Sequence, residues 1–274
     1  MKKFAKILSL VMVAMLCVVL TACSGNDDKT ETANDTADTA ATGSLDKIKA
    51  SGKITIATSP DFPPFESLEG GEIVGIEVDI MKLIAADLGV EVVFEQMDFD
   101  SVLPGIQAGK FDVGMSGITV TEKRKENADF TMPYFMASQA IVVLADSDIT
   151  CKADLEGKKI SVQTGTTAES YCTENGYEVL AFQANNDAAS ALLTGKVDAW
   201  VVDNEVAVAM SADHDGKSVV LDEAMTSEPY AFAFAKGSDD LVNAFDESIK
   251  KYIEDGTIEG IFTQYGVPYV KPEY

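Results

Sequence analysis

Three groups of side chains in this 274-residue chain have the types and spacing to do chemistry. The first is Arg124, three residues after Thr121 in Thr121-Glu122-Lys123-Arg124. That run reads as a helix start with Thr121 as its N-cap. A guanidinium placed there can hold a carboxylate through two parallel hydrogen bonds. The unpaired N–H groups and dipole of the helix N-terminus would add to the attraction. Local sequence alone favours the plainer reading, a solvated helix arginine beside Lys123 and Lys125. The second group is a pair of polar clusters that end predicted strands, Ser116-Gly117-Ile118-Thr119 and Asp203-Asn204-Glu205. Ligands in open α/β sheets sit outside the carboxyl ends of strands, so both clusters are placed to face one cleft. Asp203 by itself also suits a cap for the segment after it. The third is Cys23, in Leu20-Thr21-Ala22-Cys23. Metal chemistry has no candidate: the one histidine, His214, lies in the polar turn Asp213-His214-Asp215-Gly216 and reads as a solvated loop residue. No cofactor is implied.

These groups need elements to position them, and the chain alternates strand with helix. Ile54 to Ala57 reads as a strand. Ile80, Leu83, Ile84 and Leu88 recur at helical spacing after Asp79, read as an N-cap, and Gly89 ends that helix. Val92 to Phe94 is a strand, Asp100 to about Gly109 a short helix, Phe111 to Met115 a strand. A second series follows: strand Ile160–Val162, helix Thr167–Asn175, strand Val179–Phe182, helix Asp187–Thr194, strand Val197–Val202. Trp200, just before the second polar cluster, is expected to pack. Leu241, Phe245, Ile249 and Tyr252, then Ile258, Ile261, Phe262 and Tyr265, mark C-terminal helices. The pattern is α/β. The two series also echo each other. Ala108-Gly109-Lys110-Phe111-Asp112-Val113 and Thr194-Gly195-Lys196-Val197-Asp198-Ala199 share a Gly-Lys stop, an apolar residue and an aspartate, which suggests two lobes of similar construction.

The N-terminus reads as an export signal. Lys2, Lys3 and Lys6 precede an apolar run from Ile7 to Leu20, which at about fourteen residues is short for a bilayer span of roughly 20. Leu20-Thr21-Ala22-Cys23 resembles a bacterial lipobox, so residues 1–22 are expected to be removed and Cys23 to carry lipid, whose chains hold a membrane through buried methylenes. Residues 24–44 carry no aromatic or large aliphatic residue and read as a disordered tether. Without residues 1–22, Lys+Arg falls from 21 to 18 against 45 Asp+Glu, a formal charge of −27. That excludes nucleic acid and anionic membrane surfaces as partners; the membrane is expected to be met through the lipid only. Of four cysteines, Cys17 leaves with the signal. Export permits a disulfide between Cys151 and Cys172, and the sequence leaves them bridged or as two thiols.

Longer motifs carry a family resemblance. Ala57-Thr58-Ser59-Pro60-Asp61-Phe62-Pro63-Pro64-Phe65-Glu66, then Gly75-Ile76-Glu77-Val78-Asp79-Ile80, then Gly109 through Gly117-Ile118-Thr119-Val120-Thr121-Glu122-Lys123-Arg124 to Phe130-Thr131-Met132-Pro133-Tyr134 resemble the polar amino-acid-binding members of the family 3 extracellular solute-binding proteins. The likeness runs from about Leu45 to Val267. It implies an α/β, two-lobed periplasmic-binding-protein-like fold of type II. Each lobe would hold a small mixed or parallel sheet flanked by helices, the two joined by a two-strand hinge. Lobe 1 would take residues 45–138 and 232–274, lobe 2 residues 139–231, with crossings near Ala137–Ile141 and Tyr230–Phe234.

The resemblance also implies a site. Arg124, with the Gly117 and Thr119 backbone, would bind the carboxylate of a free amino acid, and Asp203 its ammonium. Gln163-Thr164-Gly165-Thr166-Thr167 resembles a loop closing on the carboxylate, through Thr166 and Thr167. Ser59, Phe62, Phe99 and Gln163 would surround the ligand's side chain, although Phe62 and Phe99 also suit an ordinary core. Cation-binding receptors of the family often carry an acid where Ser59 stands, so the ligand is expected to be polar and uncharged, with Asp61 and Glu66 nearby. Function then reads as a monomeric receptor that closes on an amino acid and delivers it to an ABC transporter permease, lipid-anchored outside the cell membrane and without enzymatic activity. The rival readings are an exported dehydratase on the same fold and a sensor working with a separate membrane partner.

Overall fold

The computed structural model describes residues 45–273; the expected signal at 1–22, Cys23, the tether through residue 44, and Tyr274 lie outside them. The described chain opens with helix α1 (Leu45–Ser51) and strand β1 (Lys53–Thr58), then a meander of β2 (Asp61–Phe62), β3 (Glu66–Glu69) and β4 (Glu72–Val74). Next come α2 (Ile76–Leu88), β5 (Glu91–Gln96), α3 (Phe99–Gln107), β6 (Val113–Gly114), α4 (Glu122–Lys125) and β7 (Ala128–Phe130). Strand β8 (Phe135–Ala137) runs across a single residue into β9 (Gln139–Leu144). A 3-10 turn (Lys152–Leu155) precedes β10 (Lys159–Gln163), α5 (Thr167–Glu174), β11 (Glu178–Phe182), α6 (Asn185–Leu193), β12 (Ala199–Asp203), α7 (Asn204–Ala212) and β13 (Ser218–Val220). The chain returns through β14 (Glu228–Tyr230) and β15 (Ala233–Ala235) to α8 (Asp239–Glu254) and α9 (Thr257–Gln264).

Two five-stranded sheets result, ordered β5-β1-β6-β15-β7 and β11-β10-β12-β9-β13. They share one design. In the first, β1 lies parallel between β5 and β6, and β15 runs antiparallel between β6 and β7. In the second, β10 lies parallel between β11 and β12, and β9 runs antiparallel between β12 and β13. Strands β8 and β14 belong to neither sheet and pair with each other, Phe135 opposite Tyr230 and Ala137 opposite Glu228. This antiparallel ribbon is the two-strand connection expected between the lobes.

The internal echo has a structural cause. Asp112 accepts the Thr55 N–H at 2.8 Å and the Thr55 hydroxyl at 2.6 Å; Asp198 accepts the Lys159 N–H at 2.8 Å. Each aspartate therefore ties the entry of one strand to the parallel strand beside it, β6 to β1 and β12 to β10. Gly109 and Gly195 end the helices before them at φ 65° and 68°, where a Cβ would be strained. In both, the glycine N–H and that of the next lysine close back on the helix, Gly109 to Ile106 O and Lys110 to Gly105 O, Gly195 to Leu192 O and Lys196 to Ala191 O.

Apolar side chains on the α8 stripe, Leu241, Phe245, Ile249 and Tyr252, are buried as their spacing predicts, with Phe232 and Phe234 against Phe245. Each such side chain removed from water contributes about 1.5–3 kcal/mol. Trp200 is wholly buried, so packing is its role, and its indole N–H has no hydrogen-bond partner. His214 is half-buried rather than solvated, with Nδ1 2.7 Å from Ser218 Oγ.

Two further expectations change, and the choice left open for the cysteines is decided. Helix α2 starts at Ile76 with Gly75 at its cap, and Asp79 falls inside the first turn. The first helical N–H groups are satisfied by the meander, Ile76 N–H on Pro64 O and Glu77 N–H on Phe65 O, so no capping side chain is needed. Gly75 is required there: its φ is 144°, and a Cβ would stand 2.1 Å from Phe65 O. Phe111–Met115 shortens to Val113–Gly114, the residues with ladder partners on β1, while Asp112 and Met115 on either side each give β1 one N–H bond. Cys151 and Cys172 are free thiols, not a bridge. Cys151 Sγ lies 3.5 Å from Asp154 Oδ2 at the cap of the 3-10 turn, whereas Cys172 packs on α5 inside the second sheet's core. Burial pushes the Cys172 thiol up to about 12.

Candidate ligand-binding cleft

The carboxyl ends of β6 and β12 carry the polar clusters read from the sequence. Thr121 caps α4 by accepting the Arg124 N–H at 3.1 Å, which fixes the direction in which Arg124 leaves the backbone. Its guanidinium donates from Nη1 to Thr119 O at 2.8 Å and from Nη2 to Gly165 O at 3.2 Å, and lies 5.5 Å from the Phe99 ring centre. The second of these bonds joins the stretch after β6 to the stretch after β10. Burial lowers the arginine's proton affinity, while the charges of Glu228 and Asp203 and the Tyr230 phenol raise it.

Asp203 ends β12 and is buried. Its Oδ1 accepts the Tyr230 hydroxyl at 2.6 Å and its Oδ2 accepts Gln139 Nε2 at 2.9 Å. Burial, and then the charge of Glu228, push its carboxyl up to about 7 against these bonds. An arriving cation at this point would therefore meet a carboxylate held mainly by neutral donors.

One cavity is lined by Phe62, Phe99, Ser116, Gly117, Thr119, Arg124, Gln163, Thr166, Thr167 and Asp203. Nine of the ten site residues expected from the sequence thus meet at one place. The empty space among them is about 240 Å³ with its mouth included and about 10 Å³ for the centre of a water-sized sphere, so the walls stand close together. Gly117 has φ 54°, and a Cβ on it would meet Phe62 Cε1 at 2.4 Å; glycine lets the aromatic ring lie on the backbone. Thr166 caps α5, accepting the Glu169 N–H at 3.2 Å, and Thr167 Oγ1 lies 3.2 Å from Gln139 Nε2. A wider hollow of about 550 Å³ opens beside the same Arg124, between α3, α4 and α5.

Ser59, the tenth residue, stands behind the wall. Its N–H donates to Ser116 Oγ at 3.1 Å and its hydroxyl to Asp61 at 2.8 Å. Asp61 was the residue the motif underplayed. It also receives Gln163 Nε2 at 3.2 Å and the Asn185 N–H at 2.7 Å, which links β2 to β10 and to the start of α6. Gln139, Tyr230 and Glu228 were missed as site residues; the groups they bond to or act on by charge are too distant in sequence for a local motif to reveal.

The order of the blocks can now be set against known proteins. A profile of the bacterial extracellular solute-binding proteins, family 3, matches residues 54–268. The chain belongs to that family. A similar protein is the probable histidine-binding protein of Campylobacter jejuni, 30% identical over 270 residues, 97% of this chain and 99% of that protein. The ABC transporter glutamine-binding protein GlnH of Bacillus subtilis is 31% identical over 95% of this chain and 97% of its own. Among solved structures, a truncated, arginine-bound form of ArgBP from T. maritima is 39% identical with a TM-score of 0.73, covering 75% of this chain and 99% of that one. The family 3 architecture here is the two-lobed type II binding-protein fold. Within the described part of this family 3 chain, no helix is long and apolar enough to cross a membrane.

Proposed function

We propose that the chain is the receptor of an ABC importer. It takes a free amino acid between lobe 1 (residues 45–138 and 232–274) and lobe 2 (139–231), closes on it, and presents it to a permease. The carrying observation is one guanidinium and one carboxylate, Arg124 and Asp203, lining a single cavity at the carboxyl ends of matching strands in two sheets. A zwitterion has one fixed charge for each. In this reading Arg124, Gly117, Thr119, Thr166 and Thr167 hold the carboxylate, Asp203 the ammonium, and Phe62, Phe99, Ser59 and Gln163 bound the side chain. A polar uncharged side chain fits best, because Asp61, the acid that Gln163 reaches, already receives three donors. Relatives named for histidine, arginine and glutamine support an amino acid without choosing one.

A second reading, a cationic side chain, rests on the same Asp61, whose carboxyl burial pushes up and which stands beside Gln163. A thermal-shift screen of the common amino acids followed by calorimetry decides between the two, since a bound ligand raises apparent stability by mass action. Glutamine or asparagine as the strongest ligand supports the first, arginine or lysine the second; turnover of a prephenate-like acid would replace both with an enzyme. The receptor is further proposed to be a monomer carried on lipid at Cys23. Labelling with a fatty acid analogue should mark the wild type and not Cys23→Ala.

A further inference from the structure

Two glutamates lie wholly buried behind the cleft, Glu66 on β3 and Glu77 on α2. Glu77 Oε2 accepts the Gly117 N–H at 3.0 Å, and its Oε1 accepts the Tyr134 hydroxyl. Glu66 Oε1 accepts the Ser116 hydroxyl at 3.0 Å, and that oxygen in turn accepts the Ser59 N–H. Both carboxyls therefore terminate hydrogen-bond chains that begin in the wall of the cleft. Glu66 Oε2 differs from the other three oxygens, since it is buried and no N–H or O–H donor faces it. The charge that acts most strongly on Glu66 is that of Glu77, another carboxyl buried with it. Two carboxylates cannot hydrogen-bond each other without a proton between them, and a bare buried oxygen without a donor is costly. Placing a proton on Glu66 Oε2, donated to Glu77, satisfies every oxygen at once.

We propose that Glu66 is a positioning residue that works as a neutral acid, holding Ser116 directly, Ser59 through Ser116 and Gly117 through Glu77 in the shape that receives the ligand. The inference rests on the receptor reading for its ligand and on the geometry of the dyad for its proton. The titratable groups facing the pair are Asp61 from β2 and Tyr134 from the stretch before β8. Asp61 adds a third negative charge and so favours the neutral form of Glu66. Burial, then the charge of Glu77, raise Glu66 well above its ordinary 4.5, and burial raises Glu77 less. Stability drawn from the protonated acid is present below pH about 4.5 and is lost as pH rises through the raised value.

The test compares wild type with Glu66→Gln and Glu66→Leu. The amide keeps the shape and donor of the neutral acid and cannot ionise; leucine removes both. Ligand-free melting at pH 5, 7 and 9 should show Glu66→Gln gaining on wild type as pH rises. A wild-type and glutamine difference that stays constant across that range would overturn the proton assignment. Calorimetry at pH 6 with L-arginine, L-glutamine and L-histidine as probes should show Glu66→Gln within about threefold of wild type and Glu66→Leu at least tenfold weaker. A folded Glu66→Leu protein with wild-type affinity would overturn the positioning role. Should that variant not fold, Ser116→Ala, which breaks the link between Glu66 and Ser59, must weaken binding, and unchanged affinity counts against the proposal. Wild type binding none of the three probes defeats the receptor reading, whereas the melting series still decides where the proton lies.

Discussion

Replacing Asp203 by asparagine, and titrating the wild type beside it, asks whether the cleft binds an ammonium. The Asp203 carboxyl is pushed up to about 7 by burial and by Glu228. An ammonium needs the ionised form, so below that value binding must expel a proton. With a carboxyl near 7, half the molecules are ionised at pH 7 and about one in a hundred at pH 5, so affinity should fall by roughly 50-fold, about 2.3 kcal/mol. The unliganded fold responds in the opposite sense. A raised carboxyl contributes stability that is present below pH about 4 and lost as pH rises through about 7, with a ceiling of about 4 kcal/mol for a shift of roughly three units. Calorimetry from pH 5 to 8, in buffers of different ionisation enthalpy, reads both affinity and proton release. Near one proton should leave per ligand at pH 5 and only about a tenth of one at pH 8. Asp203→Asn should bind about 100-fold or more weakly and lose the pH dependence, because its amide cannot ionise. Wild-type affinity that stays within threefold from pH 5 to 8, with no proton release, would remove Asp203 from contact with a charged amine.

Arg124→Ala should raise the dissociation constant by roughly 1,000-fold, about 4 kcal/mol, because it deletes a two-point contact and leaves Glu228 and Asp203 without their nearby cation; calorimetry showing less than a tenfold loss would contradict the carboxylate role. Gly75→Ala should destabilise the fold by at least about 2 kcal/mol, since the new methyl meets Phe65 O at 2.1 Å on a backbone at φ 144°. Its urea midpoint should drop, and an unchanged midpoint would show that the approach of α2 to the meander is looser than described. A thiol reagent applied to native protein should label the peptide bearing Cys151 and spare the one bearing Cys172, with both labelled after unfolding. Equal native labelling would mean the α5 core opens readily.

Much of the fold was legible because its signals are local. The α8 stripe repeats at helical spacing, and Thr121 sits three residues before Arg124, as a capped helix requires. The Gly-Lys-x-Asp echo also reports something local, a helix stop followed by an aspartate that reaches one strand over. The start of α2 was misread because the groups that satisfy its first turn are the backbone carbonyls of Pro64 and Phe65, which carry no side-chain signature. The site divides in the same way. Arg124, Gly117 and Asp203 end predicted strands or begin predicted helices, so their place followed from the elements. Gln139 reaches Asp203 across 64 residues, Tyr230 across 27, and Asp61 meets Asn185 across 124. Such pairs exist only once the sheets are assembled. Glu66 and Glu77 show the limit most sharply, since a glutamate in a sequence reads as surface until its neighbours are known.

The placement of β15 has a consequence for how the molecule is made. This strand, residues 233–235, sits between β6 and β7 in the first sheet, although both of those strands end by residue 130. The second sheet draws all its strands from one uninterrupted stretch, residues 139–220. As the chain leaves a ribosome or a translocation pore, the second sheet can close as soon as its own residues have emerged. The first must wait with its middle open for roughly a hundred residues after β7, until β15 emerges. The last residues then strap the ribbon itself, Val270 O accepting the Met136 N–H at 3.0 Å and the Tyr269 hydroxyl reaching Tyr134 O at 3.0 Å. Pairings this distant in sequence slow folding. A chain built this way stays incompletely folded until its C-terminus arrives, the condition in which it can still be threaded through a membrane.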